Sequence, residues 1–171
     1  MELFEGIITR RSVRNYTGEK IGEEKIELVL KAGMYAPSAR NCRPWHFIVI
    51  DNREVLNRIM AVHPYSSMLK DASHAIAVCG DTEAENGPGY HRLDCSAATQ
   101  NILLAAHSLG LGAVWLGVTP REERIKAISE ILSLPSHVIP VSIVSLGVPS
   151  KNLPPIPDRF EKSKIRRNGW K

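Results

Sequence analysis

Apolar residues recur along the chain in two patterns, a spacing of three and four residues and short uninterrupted runs. The first pattern is typical of helices with one buried face, and the second of buried strands. Five helices are predicted, at residues 2–9, 22–34, 53–62, 90–109 and 121–132. Four strands are predicted, at residues 46–50, 75–79, 113–118 and 138–146. Because helices and strands interleave, we expect a mixed α and β class with a small sheet covered by helices.

The predicted helix at residues 90–109 has apolar residues on more than one narrow face. They are Leu93, Ala97, Ala98, Ile102, Leu104, Ala105 and Leu109. A helix that is apolar nearly all round is usually buried on all sides. The length of 171 residues suggests one domain, in which an interface with another subunit would achieve such burial. After Pro149 the chain becomes proline-rich (NLPPIPDRF), which favours an extended arm over a packed element.

Composition and charge argue against several classes of protein. No run of about 18 apolar residues occurs, so we expect no membrane span, and the first residues lack the pattern of a signal peptide. A cytoplasmic location is therefore expected. The net charge of +4 resides in residues 151–171, with seven Lys/Arg and two Asp/Glu, whereas residues 1–150 carry 15 and 16. This local excess argues against a broad basic face, and no nucleic-acid partner is expected.

Cysteine and histidine usage indicates neither a disulfide framework nor a zinc site. Cys42, Cys79 and Cys95 are odd in number and widely spaced. His91 and Cys95 could share one helix face, but no second pair of ligands accompanies them. We therefore expect no bound metal.

The segment TRRSVRNY, residues 9–16, places three arginines around one serine. If this segment continued the first helix, Arg10 and Arg14 would lie on one face, with Ser12 nearby and Arg11 pointing elsewhere. Two guanidinium groups and a hydroxyl suit a phosphate, because each arginine offers paired donors. The alternative is an exposed basic cluster paired with nearby carboxylates or water.

The loop APSARNCRPWHF, residues 36–47, has the composition of a ligand-binding loop. Ser38 and Asn41 carry short polar groups that could read the edge of a heteroaromatic ring. The alternative is an ordinary connection between a helix and a strand. Trp45 could stack on a ligand, but a tryptophan beside a strand is more often part of the core.

The glycines of LGLGAVWLG, residues 109–117, follow a helix and precede a strand. This order is the reverse of a dinucleotide-binding fingerprint. Gly110 is therefore predicted to end the helix. Gly117 either lets a flat ligand approach the backbone closely or simply ends the strand.

Taken together and in order, these segments resemble the FMN-dependent nitroreductase family in its compact form. The resemblance covers essentially the whole chain and rests on RRSVRNY, PSARNCRPWHF, DASHAIAVCGD, LGLGAVWLG and the proline-rich arm with Arg159 and NGW. It implies an α+β fold with a small mixed or antiparallel sheet flanked by helices. It also implies a single FMN-binding domain at residues 1–171, an interlocked homodimer, and a C-terminal arm at residues 148–171.

The same resemblance implies a set of FMN-binding residues. Arg10, Ser12 and Arg14 would contact the phosphate, the ribityl chain and the pyrimidine side of the flavin, and Arg159 would complete the phosphate site. The backbone near Leu116 and Gly117 would face the flavin ring and its N5. The other subunit would supply four loop residues, Pro37, Ser38, Ala39 and Asn41.

The implied reaction is that of an NAD(P)H oxidoreductase. NADH or NADPH would deliver a hydride to flavin N5 and leave, and a nitroaromatic, quinone or related small acceptor would then take two electrons in the same pocket, by a ping-pong mechanism. Because the flavin carries this chemistry, we expect no catalytic acid or base among the side chains. The alternatives are a flavoenzyme of the same fold with another reaction, such as flavin fragmentation or dehalogenation, and a non-enzymatic flavin-binding module.

Several departures from the family pattern bear on the acceptor pocket. Ala39 stands where a second serine is frequent, and Arg43 stands where a glutamine often precedes the Pro-Trp pair. In the arm, Pro157 replaces the lysine that larger relatives place two residues before the arginine. The chain also leaves no room for the helical insertion of those relatives. The polarity of the pocket is therefore open, and a more open site is expected.

Overall fold

A computed structural model describes residues 1–151 and 156–170. Its helices are α1 (Leu3–Thr9), α2 (Glu23–Met34), α3 (Arg53–Val62), α4 (Tyr90–Ser108) and α5 (Glu122–Leu132). Its strands are β1 (Trp45–Ile50), β2 (His74–Asp81), β3 (Gly112–Gly117) and β4 (Val138–Gly147). The predicted helices and strands are all confirmed, with ends that shift by one or two residues.

The strands form one antiparallel sheet in the order β1-β2-β4-β3. The α+β class implied by the resemblance is confirmed, and the sheet is antiparallel throughout its described strands. β3 lies at one edge of the sheet, and no described strand pairs with its outer side. This free edge of β3 positions the candidate site.

Helices cover both faces of the sheet. On one face α2 and α4 bury Ile26, Val29 and Ile102, and on the other face α3 and α5 bury Leu56 and Ile128. The central strands β2 and β4 lie between these two layers, which explains why their sequences are nearly continuous apolar runs. Burial of each large apolar side chain contributes about 1.5–3 kcal/mol, so the two layers hold the edge strand on a rigid support.

Residues 10–14 do not continue α1, and the expectation of helical geometry there was wrong. α1 ends at Thr9, and Arg10 has extended backbone torsions, φ −59° and ψ 138°. Val13 N–H donates to the Ala113 carbonyl at 2.9 Å, so the segment runs along the free edge of β3. Tyr16 is buried against Gly147 and leaves no room there for a Cβ. Packing on the sheet edge therefore overrides continuation of the helix.

The predicted arm is described only in part. Residues 152–155, within NLPPIPDRF, and residue 171 lie outside the described residues. Residues 156–170 contain a short 3-10 turn at Lys162–Lys164. Near the start of the arm, Pro149 forms an isolated bridge with Tyr16, which brings the chain back to the basic segment.

Within one protomer, α4 is not buried on all sides, and its burial by another subunit stays a prediction. Ile102 is fully buried against the sheet, but Leu93 is 66% exposed and Leu104 is only half-buried. The neighbouring α1 exposes Leu3 and Phe4 at 75% and 73%. One protomer thus leaves several large apolar side chains of α1 and α4 uncovered.

Within the described ranges, no helix is long and apolar enough to cross a membrane.

Candidate functional site

Arg10 and Arg159 line the same cavity, which has a volume of about 790 Å³ and lies between α1 and the C-terminal segment. Burial lowers the pKa of Arg10 from its ordinary value, and the positive charge of Arg159 lowers it further. Neither arginine forms an ion pair in the part of the chain that the structure describes. Asp158 also lines the cavity, and its Oδ1 accepts the Phe160 N–H at 3.0 Å. Two arginines that repel each other favour a bound anion, so this cavity suits a phosphate.

The basic segment itself alternates between two sides. Ser12 and Arg14 are exposed, whereas Arg11 and Val13 are half-buried. This alternation over residues 11–14 is typical of extended backbone, whereas Arg10 is half-buried like Arg11. Exposure therefore groups Ser12 with Arg14, and the expected grouping of Arg10 with Arg14 stays a prediction.

Arg14 lines a second cavity, of about 430 Å³, together with Leu116 and Gly117. Ser12 is not among the described lining residues of either cavity. The structure therefore brings Arg10 to Arg159 at one end of the basic segment. At the other end it brings Arg14 to the end of β3.

The free edge of β3 offers its backbone to this second cavity. Ala113 directs its carbonyl outward to Val13, and strand geometry repeats that direction at every second residue, so Gly117 directs both its N–H and its carbonyl outward. A Cβ at Gly117 would meet nothing closer than the Thr119 carbonyl oxygen at 4.0 Å. Gly117 thus ends β3, and the space that a side chain would fill beside it is open. Gly110, with a φ of 73°, follows the end of α4 as predicted.

Sequence reasoning missed three residues of the second cavity, His63, Tyr65 and Arg124. His63 Nε2 and Arg124 Nη1 each lie 3.0 Å from the Gly117 carbonyl oxygen. Burial lowers the pKa of His63; the hydrogen bond to Gly117 opposes this effect, and the charge of Arg124 adds to it. His63 lies in the loop after α3 and Arg124 lies in α5, so no spacing motif along the chain could have paired them.

The loop with Pro37, Ser38, Ala39 and Asn41 is not found among the described lining of either cavity. It is anchored to α4 instead, because Ala39 N–H donates to Asp94 Oδ1 at 3.1 Å. This carboxylate is 5% exposed, and no described group binds its other oxygen. Within one protomer, the four loop residues are therefore held apart from the two cavities.

Backbone strain is concentrated in the same loop. Arg40, Asn41 and Arg43 have φ angles of 50°, 57° and 51°, a left-handed conformation that is uncommon outside glycine. Arg43 N–H donates to Ser38 Oγ at 2.9 Å, and the Arg43 side chain is exposed. Such strain clusters at ligand-binding loops, so the loop has the character of a preformed contact surface.

Two other candidates from the sequence have structural roles. Trp45 is 9% exposed and belongs to the core, as the commoner interpretation of its position predicted. His91 Nδ1 lies 2.9 Å from Glu85 Oε2. Across residues 1–151 and 156–170, no group of three His, Cys, Asp or Glu side chains could hold a metal ion.

Comparison with known proteins gives consistent matches over the chain. The sequence profile of the Nitroreductase family matches residues 7–63 and 58–148. A relative from Methanothermobacter thermautotrophicus, provisionally named NADH dehydrogenase/NAD(P)H nitroreductase, is 52% identical over 170 residues, which are 99% of this chain and 88% of the relative. A solved structure from Parabacteroides distasonis with the same provisional name has a TM-score of 0.94 and 42% identity, and 98% of each chain is covered.

A third match was solved with a cofactor. This protein from Desulfovibrio desulfuricans, provisionally named a nitroreductase and in complex with FMN, has a TM-score of 0.85 and 31% identity. The match covers 99% of this chain and 98% of that chain. The present chain belongs to the nitroreductase family.

Proposed function

We propose that this chain reduces nitroaromatics, quinones or related small acceptors with electrons from NADH or NADPH, in a ping-pong cycle. As a member of the nitroreductase family, it is an FMN-dependent NAD(P)H oxidoreductase. The observation that carries the proposal is the basic segment, which joins an arginine pair at one end to an open strand edge at the other. That arrangement suits a ligand with a phosphate at one end and a flat ring at the other.

The residues present fit FMN. Arg10, Arg159 and Ser12 would hold the phosphate and the ribityl chain, and Arg14 would lie at the pyrimidine side. The backbone of Leu116 and Gly117 would face the ring, where the open space at Gly117 permits close approach. When bound, FMN supplies the two-electron chemistry between nicotinamide and acceptor. Arg14 contributes electrostatically, since a fixed cation favours the more negative, reduced state of the ring.

We further propose a homodimer of single domains, residues 1–171, whose residues 148–171 form the C-terminal arm. The support is the apolar surface left uncovered on α1 and α4, with Leu3, Phe4 and Leu93 more than half exposed. The strained loop at residues 37–41, held away from its own protomer's cavities, would complete the flavin site of the partner subunit. Light scattering or analytical ultracentrifugation tests this, and a stable monomer with bound FMN would contradict it.

An anaerobic spectral titration tests the activity. The purified protein should bind FMN and show a visible flavin spectrum that bleaches with NADH or NADPH and recovers on addition of a nitroaromatic or quinone. Parallel lines in double-reciprocal plots would support the ping-pong cycle. A protein that neither carries FMN nor takes it up would contradict the proposal. Analysis of products under oxygen would reveal flavin fragmentation if that were the reaction instead.

A further inference from the structure

The Gly117 carbonyl receives two side-chain donors from separate elements. His63 Nε2 and Arg124 Nη1 both lie 3.0 Å from its oxygen. Gly117 is the last residue of an edge strand, and no described strand pairs with its outer side. Gly117 lies in register opposite Ser142 of β4, and these two bonds additionally fix its outward carbonyl.

The hydrogen bonds of His63 define which ring nitrogen carries the proton. Tyr65 N–H donates to His63 Nδ1 at 3.3 Å, so Nδ1 is the acceptor. Nε2 must then carry the hydrogen and donate to Gly117. His63 is only 2% exposed, and Ser66 Oγ donates to its carbonyl at 2.7 Å, which fixes the loop that carries it. Burial lowers its pKa, so the ring stays neutral and directional at neutral pH.

Arg124 adds a charge to this geometry. Its guanidinium lies 5.5 Å from the centroid of the Tyr65 ring, and one of its five N–H groups is used by Gly117. Arg14 and Arg124 both line the second cavity, whose described lining contains no Asp or Glu. A ring bound at the Gly117 edge would therefore lie in a field set by two cations.

We propose that His63 and Arg124 are positioning residues of the flavin site. Together they hold the Gly117 backbone with its N–H turned towards the ring, and Arg124 in addition favours the reduced over the oxidised state of the cofactor. The inference rests on the proposed function. It assigns to these two residues a role that neither the basic segment nor the strained loop supplies.

Four variants separate the positioning of the Gly117 backbone from the effect of the Arg124 charge. His63→Leu removes the donor, whereas His63→Gln keeps an amide donor without an ionisable ring. Arg124→Gln keeps one donor for the carbonyl but removes the charge. Arg121→Gln is the matched control, since Arg121 is exposed at the start of the same helix and is not among the described lining of the cavity. The readouts are FMN binding to the apoprotein by fluorescence, the FMN midpoint potential, and thermal unfolding of the apoprotein.

We expect His63→Leu to weaken oxidised FMN binding about tenfold, with recovery to within about threefold in His63→Gln. We expect Arg124→Gln to weaken binding of reduced FMN about tenfold more than binding of oxidised FMN, which lowers a two-electron potential by about 30 mV. Arg121→Gln should change neither the affinity for FMN nor the FMN midpoint potential.

The role of His63 would be overturned if folded His63→Leu bound FMN as tightly as wild type. It would also be overturned if His63→Leu and His63→Gln lost the same amount of FMN affinity. An unchanged potential in Arg124→Gln would overturn the role of the charge. If the wild-type apoprotein itself failed to bind FMN, the proposed function would fail and not only this inference.

Discussion

The two ends of the candidate site are built in different ways. At the Arg10–Arg159 end, two cationic side chains line a cavity between α1 and the C-terminal segment that is otherwise mostly apolar, and their charge is what distinguishes it. At the Gly117 end, backbone groups of an edge strand are fixed by a buried histidine and a half-buried arginine, and geometry is the main resource. If the proposed FMN binds across both ends, electrostatics would hold its phosphate and a backbone supported by the core would hold its ring.

Removal of either phosphate-end arginine should give the largest effect. Arg10→Ala and Arg159→Ala should each weaken FMN binding about tenfold to a hundredfold, because a hydrogen bond to a charged group contributes about 1.5–3 kcal/mol. Fluorescence titration of the apoprotein measures this. The control is Arg11→Ala, which removes a guanidinium that is not among the described lining of either cavity and should stay within about threefold of wild type. Equal losses in Arg11→Ala and Arg10→Ala would contradict the assignment.

Addition of one methyl group should test the ring end. Gly117→Ala should weaken FMN binding about tenfold and leave thermal stability nearly unchanged, because the space beside Gly117 is open in the protein and would be needed by the ring.

Gly112→Ala is the contrasting control, since a Cβ at Gly112 would lie 2.8 Å from Val13 Cγ1. It should destabilise the fold by about 1–3 kcal/mol, as overpacking generally does. If Gly117→Ala lowered the melting temperature as Gly112→Ala does, the open edge would be a packing feature rather than a binding feature.

The dependence of FMN affinity on salt concentration should also distinguish the two ends, with a smaller change in affinity than the substitutions above. The affinity of wild-type protein for FMN should fall as ionic strength rises, because exposed charges are screened over about 10 Å at 0.1 M salt. Gly117→Ala should keep this slope, and Arg159→Ala should flatten it. A titration series in increasing sodium chloride gives the slopes, and equal slopes in all three proteins would show that charge does not distinguish the ends.

The smallest expected effect is on the pH dependence of stability. Burial lowers the pKa of His63, so the folded protein binds this proton less tightly than the unfolded chain, whose histidines titrate near about pH 6.5. The stabilising contribution of neutral His63 is therefore complete above about pH 6.5 and is lost as pH falls through the folded-state pKa. The melting temperature of wild type should fall more steeply below about pH 6.5 than the melting temperature of His63→Gln. Identical pH profiles would contradict a buried, neutral His63.

The residues proposed for the phosphate end could be singled out from the sequence, and those proposed for the ring end only in part. Arg10, Arg14 and Gly117 could be singled out because charge and glycine are local signals. Their geometry could not, since the contact between Val13 and Ala113 that keeps the basic segment extended joins residues far apart in the chain. For the same reason His63 and Arg124 gave no signal, because each becomes part of the site only through the tertiary fold. The helices and strands were predicted closely, since their periodicity reflects burial against one sheet.

Asp94 and Leu93 are neighbours on α4, and this adjacency has a consequence for the cofactor. Asp94 holds the strained loop through Ala39, while Leu93 belongs to the apolar surface that the proposed dimer would cover. If the loop of one protomer completes the site of the other, FMN binds more tightly to the assembled pair than to separate chains. By mass action, dilution of the protein should then release FMN, and excess FMN should oppose dissociation of the subunits. The fraction of chains that retain FMN would therefore depend on protein concentration, because the assembled pair would bind FMN more tightly than a separate chain does.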